Sequence, residues 1–244
     1  MTTRDQTSKW IANDLSITMP LRDRAMVALF GAIQWPWLLR SLSGGRKADK
    51  QALLDRIAMP ADALPHLGSW KADTRFLHHI VDAVEASRPR NVVELGCGAS
   101  SLVIAKALDL HGGGRLTSYD QHGEFVAATQ SWIEGHGLKA TVHAAPLGAA
   151  APGWGGHWYT LRDVPATIDL LVIDGPPWAI HPFVRGSAEC LFARLSPGAI
   201  ILLDDAARPG ERVVARRWRR KWPNIEFTYD ARGTKGTLIG RVRA

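Results

Sequence analysis

From about residue 73 onward, short apolar runs alternate with stretches in which apolar residues return every three or four positions. The first periodic stretch carries Phe76, Leu77, Ile80, Val81 and Val84, and Arg88-Pro89-Arg90 ends it, which predicts a helix from about Asp73. Asn91–Leu95 then reads as a buried strand, residues 100–110 as a helix, and Arg115–Asp120 as a second strand. A helix over 125–136 and a third strand over 140–144 follow. The fourth strand is expected over 169–174, a helix over 187–195, and the fifth strand over 199–204. A basic helix, Arg212–Lys221, precedes two final strands, 225–229 and 237–242. The turn-rich link 230–236 between them is too short for a crossover helix, so that pair must be antiparallel.

The alternation predicts an α/β fold: a doubly wound, Rossmann-like, seven-stranded sheet closed by a C-terminal antiparallel hairpin. The preceding residues have a different character. Residues 1–20 read as a loosely ordered tail, and 21–42 as a helix bent at Pro36. A polar connector (43–49), a short helix to about Ile57 and a loop punctuated by Pro60 and Pro65 complete the region. The expected organisation is therefore an N-terminal helical extension, 1–72, and a main domain, 73–244.

Charge adds one question about partners. The net charge is +7, and much of the excess lies in residues 212–221. Val214 and Trp218 fall on one face of that helix and the cations cover the rest, so a solvated outer face is the expected reading, with a nucleic-acid or lipid-headgroup patch as its rival. Residues 25–39 are almost wholly apolar, with Arg22, Arg24 and Arg40 beside them. That run is short of the roughly 20 residues a membrane span requires. Peripheral membrane contact through residues 21–42, or cover for the domain or for the second subunit of a homodimer, suits it better. The opening residues are polar and show no apolar core before a small-residue site, so a cytoplasmic location, with membrane association as an addition, is expected. Cys97 and Cys190 have no metal-ligand spacing and predict no disulfide.

The strongest chemical signal is Val93-Glu-Leu-Gly-Cys-Gly-Ala-Ser-Ser101, a glycine-rich turn between strand and helix. Gly96 and Gly98 let the backbone approach a ligand closely, and the helix start presents free N–H groups. Cys97 reads as a small residue filling the turn, since no base is paired with it. A dinucleotide-binding loop would carry a third glycine where Ser101 stands. Asp120, about 20 residues beyond Gly98 at the end of the second strand, is placed to accept both hydroxyl hydrogens of a ribose.

Residues 73–244 resemble the class I S-adenosylmethionine-dependent methyltransferases, in both this loop and the closing hairpin. The resemblance implies S-adenosyl-L-methionine as cofactor, with the loop Gly96-Cys97-Gly98 and Ser101 around its methionine part. It implies that Glu94 helps to anchor the amino group, directly or through water. Gln121 and His122 are expected to line the adenosine site, and Pro146 and Leu147 to form the adenine wall.

A second constellation is acidic. Asp174 ends the fourth strand, and Asp204 and Asp205 end the fifth; neighbouring strands would open all three onto one cleft. Carboxylates that close repel unless a cation or protonation relieves them. An all-oxygen set suits Mg2+ or another divalent cation. The pattern resembles the metal-dependent O-methyltransferases of the catechol type, though Pro177 stands where that family carries its catalytic lysine. Asp174 and His181 are accordingly the expected catalytic groups, with His181 as the alternative base. Asp174-Gly-Pro-Pro-Trp178 is also similar to the strand-end motif of base amino-methyltransferases, but Gly175 shifts the register. Trp70, Trp178 and the Trp154–Trp158 cluster are expected around the cleft opening, and Gly153–Tyr159, between the third and fourth strands, reads as a loop of glycine and aromatics suited to a mobile substrate wall. The expected activity is O-methylation of a small-molecule acceptor. A nucleic-acid methyltransferase is the second reading, and an NAD-dependent oxidoreductase or a silent cofactor-binding module follows.

Overall fold

The computed structural model describes residues 19–243, so most of the expected N-terminal tail lies outside the described residues. Its framework is a seven-stranded sheet in the order β3-β2-β1-β6-β7-β9-β8. The strands are β1 (Asn91–Leu95), β2 (Arg115–Asp120), β3 (Thr141–Ala144), β4 (Leu147–Ala149), β5 (His157–Tyr159), β6 (Ile168–Ile173), β7 (Leu195–Leu203), β8 (Ile225–Asp230) and β9 (Thr237–Val242). All pairings among β1, β2, β3, β6 and β7 are parallel, whereas β9 runs antiparallel to both β7 and β8. The expected fold class is the observed one.

Both faces of the sheet are covered, which is why its central strands lack a polar side. Val92, Leu170, Ile200 and Leu202 enter one buried cluster, and their sequence neighbours Val93, Leu171, Ile201 and Leu203 enter the other. The first cluster joins α3 (Thr74–Ser87) and α4 (Ala99–His111) to the sheet. Leu53 and Leu54 of α2 (Lys47–Arg56), with Leu64 and Leu67, belong to the same cluster. Asp73 caps α3, its Oδ1 accepting the N–H of Phe76 at 2.8 Å. α5 (Gly123–Gly135) follows β2. On the other face lie the segment 184–194 and α6 (Pro209–Lys221), where Val214 and Trp218 are buried as their spacing predicts. Arg212, Arg216, Arg219 and Arg220 of α6 are exposed.

Three features depart from the sequence reading. Val184–Arg194 is a 3-10 helix rather than an α-helix from 187, and it has no side-chain cap; Gly186 near its start disfavours an α-helix by about 1 kcal/mol relative to alanine. β7 starts at Leu195, before the expected Ala199. The stretch between β3 and β6, expected as a loop, contains the antiparallel ribbon β4–β5.

α1 (Leu21–Ser41) contains Pro36 and buries an unexpected set of residues. Its buried side chains are Gln34 and Ser41, while Leu29, Ile33, Trp35 and Leu39 are exposed. It is fixed to the body by Phe30, edge-on to Phe183 at 5.0 Å, and by Gly31 against the Trp178 ring.

Candidate active site

β1 delivers the chain to the loop at the carboxyl edge of the sheet. Gly96 and Gly98 take φ values of 93° and 144°, a region in which a side chain would be strained. Gly96 has a second constraint: a Cβ there would lie 2.6 Å from the backbone nitrogen of Gly175. The loops after β1 and β6 are thus pressed together, and a cavity of about 450 Å³ opens beside them. Gly96, Cys97, Gly98, Asp120, Gln121, His122 and Asp174 all border it, as the sequence reading expects.

Asp120 is held at the cavity edge by the backbone. Its Oδ2 accepts the N–H of Cys97 at 3.3 Å and its Oδ1 accepts the N–H of His122 at 3.0 Å. One carboxylate therefore ties the glycine loop to the end of β2, which places the loop and the ribose-type acceptor in fixed register. An ionised carboxylate is acceptor-only, the character that recognition of ribose hydroxyls calls for. Cys97 is buried, and its Sγ lies 3.5 Å from Thr129 Oγ1. Burial, reinforced by Asp120, pushes its thiol well above the ordinary range, which fits a filler of the turn rather than a nucleophile.

Glu94 and Ser101 sit beneath the cavity rather than in its wall. Glu94 is fully buried; its Oε2 accepts hydrogen bonds from Ser101 Oγ and, at 2.6 Å, from Ser118 Oγ. Ser101 Oγ in turn accepts the N–H of Gly98 at 2.9 Å. The acid thus fixes the loop from below. Burial raises it to about 7, against the opposing hydrogen bonds from the serines. Its Oε1 accepts no hydrogen bond among the described residues.

Asp174, Asp204 and Asp205 do come together, with potential ligand atoms within 4.8 Å of one another. The sequence reading did not anticipate the cations among them. Lys235, in the β8–β9 turn, places Nζ 3.2 Å from Asp204 Oδ2 and 3.3 Å from Asp205 Oδ1. Arg208 NH2 lies 2.9 Å from Asp205 Oδ1, and Arg185 NH1 lies 3.0 Å from Asp205 Oδ2. Arg185 also lies 3.6 Å from Asp174 Oδ1 and donates to the Asp174 carbonyl. Burial would raise Asp205, but Arg208, Lys235 and Arg185 outweigh it and hold the carboxyl well below its usual range. Burial raises Asp204 to about 6, with Lys235 opposing and the Asp205 charge adding to the rise. Burial and the Asp204 charge raise Asp174 well above normal. Lys235, Arg185 and Arg208 already pair with these carboxylates, so a divalent cation would have to compete with three protein cations for the same oxygens.

Several expected site residues lie elsewhere. His181 borders a second cavity of about 680 Å³, with Arg22, Trp154, His157 and Arg217, and contributes nothing to the wall of the first. Its Nδ1 accepts the N–H of Phe183 at 3.1 Å and its ring stands edge-on to Phe183, which turns it away from the sheet end. Pro146 is exposed and Leu147 starts β4, so neither borders the first cavity; the ribbon draws the chain away immediately after β3. Trp70 and Trp178 do border it, whereas Trp154 borders the second cavity and Trp158 is buried in the core. Of the segment 153–159, expected as a substrate wall, Tyr159 borders the first cavity, whereas sequence reasoning missed Phe125, Arg185 and Arg208 there. Of these, only the arginines carried a signal: three clustered acids need compensation.

Residues 93–206 match the model of a methyltransferase domain family. No curated protein matches the chain by sequence. Among solved structures, an O-methyltransferase from Bacillus cereus in complex with S-adenosylhomocysteine is 18% identical, with a TM-score of 0.55 over 82% of this chain and 92% of that one. The O-methyltransferase TomG from Streptomyces achromogenes, involved in tomaymycin synthesis and solved with S-adenosylmethionine, is 15% identical, with a TM-score of 0.52 over 81% and 89%. A Podospora anserina methyltransferase bound to S-adenosylhomocysteine is 12% identical, with a TM-score of 0.53 over 100% and 98%. At these identities the likeness is one of fold.

Proposed function

We propose that the chain is a class I S-adenosylmethionine-dependent methyltransferase that methylates a hydroxyl oxygen of a small-molecule acceptor, a reading supported by the methyltransferase-domain match over residues 93–206 and the shared fold. The observation that carries this reading is one cavity bordered by the glycine loop, Asp120 and the Asp174 carboxyl. S-adenosylmethionine, when bound, supplies a methyl group already activated on a sulfonium. Asp120 would accept the ribose hydroxyls, and the close backbone at Gly96 and Gly98 would admit the amino-acid part. Trp70, Phe125 and Trp178 exclude water around the reacting atoms.

Asp174 takes the acceptor's proton onto its carboxylate. Its Oδ1 accepts no hydrogen bond among the described residues, and burial beside Asp204 makes the group a stronger proton acceptor than an exposed aspartate. Lys235, Arg185 and Arg208 hold the acidic cluster together without a metal, so no divalent cation enters this scheme. The basic helix α6 contributes no residue to the cavity wall, which favours a small acceptor over a nucleic acid. Replacing Asp174 by Asn tests the assignment: kcat should fall about 100-fold or more, with affinity for S-adenosylhomocysteine within a few-fold of wild type. Unchanged turnover would remove Asp174 from the chemistry.

A further inference from the structure

α1 presents its apolar side outward. Every exposed position from Ala25 to Leu39 is apolar, and Leu29, Ile33, Trp35 and Leu39 are each about half exposed or more, at 55%, 46%, 59% and 58%. No charged residue interrupts the helix between Arg24 and Arg40. A continuous apolar strip of this kind on a folded surface marks a contact with something else.

The surroundings of the strip indicate what that contact is. Arg22 and Arg24 flank one end and Arg40 the other, all exposed. α1 packs against α6, whose outer face carries Arg212, Arg216, Arg219 and Arg220. A second copy of a chain with net charge +7 would bring arginine rims together, whereas an anionic lipid surface complements them. The helix is not long and apolar enough to cross a membrane, but apolar residues with an exposed tryptophan suit the headgroup boundary. Leu42, just beyond α1, is itself exposed and borders the first cavity, as does Leu38 within the helix.

We propose that α1 is a membrane-docking helix that seats the protein on an anionic lipid surface, with the mouth of the first cavity beside the lipid. The docking does not depend on the methyl-transfer reading.

Co-sedimentation of the full chain with vesicles tests it, using phosphatidylcholine alone and phosphatidylcholine mixed with phosphatidylglycerol. Wild type should bind the anionic vesicles about tenfold or more tightly than the neutral ones, since each arginine near such a surface adds to the attraction. The double substitution Leu29→Glu/Ile33→Glu should abolish sedimentation while S-adenosylhomocysteine affinity, measured by calorimetry, stays at its wild-type value. Arg22→Glu/Arg24→Glu should reduce the preference for anionic vesicles and leaves the apolar strip intact. Absence of wild-type binding to either vesicle would overturn the proposal. A concentration-dependent dimer that Leu29→Glu/Ile33→Glu splits, without vesicle binding, would assign the strip to a second copy and overturn it too. Sedimentation that persists in a protein unable to bind S-adenosylhomocysteine would uphold the docking and reject the enzymatic reading.

Discussion

Lys235 Nζ lies 3.2 Å from Asp204 Oδ2, and both side chains are sealed from solvent, at 1% and 0% exposure. Opposite strand ends are joined through this pair: Asp204 leaves β7, and Lys235 sits in the turn before β9. A buried ion pair costs most when one partner is removed, because the remaining charge is left uncompensated. Replacing Lys235 by Met should therefore lower unfolding stability by about 3–5 kcal/mol, measured by denaturant titration. In the wild type, a chelator should leave turnover unchanged. Loss of turnover in chelator, restored by magnesium, would contradict the internal compensation.

Glu94 makes a pH-dependent contribution. Its carboxyl is raised from 4.5 to about 7 in the fold, so the folded state favours the protonated form. The stability associated with that group is fully present below pH 4.5 and is lost as pH rises through about 7. Glu94→Gln keeps an acceptor for Ser101 and Ser118 but carries no charge. At pH 8 it should be more stable than wild type by about 2–4 kcal/mol, and so melt at a higher temperature, and the difference should close toward pH 4. A variant that melts lower than wild type at pH 8 would refute the assignment of an unfavourable buried charge.

His181 should be dispensable for the chemistry, because it faces the second cavity. Its histidine pKa is lowered by burial, so its ring is neutral near pH 7 and packs as an uncharged group. His181→Ala is expected to lower stability by about 1–3 kcal/mol through lost packing. At temperatures where the variant is folded, its kcat should stay within about threefold of wild type. A loss of two orders of magnitude would return His181 to the active site.

The sheet was largely legible because its strands are buried on both faces. Asn91–Leu95 and Arg115–Asp120 occur at their expected bounds, since apolar runs set off by turn residues leave little freedom. The glycine loop and Asp120 were legible for a related reason: strand topology alone fixes where strand ends meet. Long-range pairing was not. Arg185 and Lys235 reach the acidic cluster from segments far apart in sequence, and no local periodicity marks a lysine as buried. The three-residue strands Leu147–Ala149 and His157–Tyr159 are too short to show alternation, so their ribbon read as loop, and Pro146 and Leu147 were misplaced with it. α1 misled in the opposite direction: its apolar residues were visible, but which of them face outward depends on what the helix packs against.

The central claim, that the cavity between the glycine loop and Asp120 holds S-adenosylmethionine, is tested most directly by calorimetric titration with S-adenosylhomocysteine. Wild type should bind one equivalent with micromolar affinity, and Asp120→Ala should lose at least about 100-fold, because two ribose hydroxyls lose a charged acceptor. The Asp120→Ala protein should still melt cooperatively, since the backbone contacts to Cys97 and His122 that it loses lie in a loop and a strand end rather than in the buried core. Equal affinity in wild type and Asp120→Ala, or tight binding of a nicotinamide dinucleotide in place of S-adenosylhomocysteine, would contradict the account.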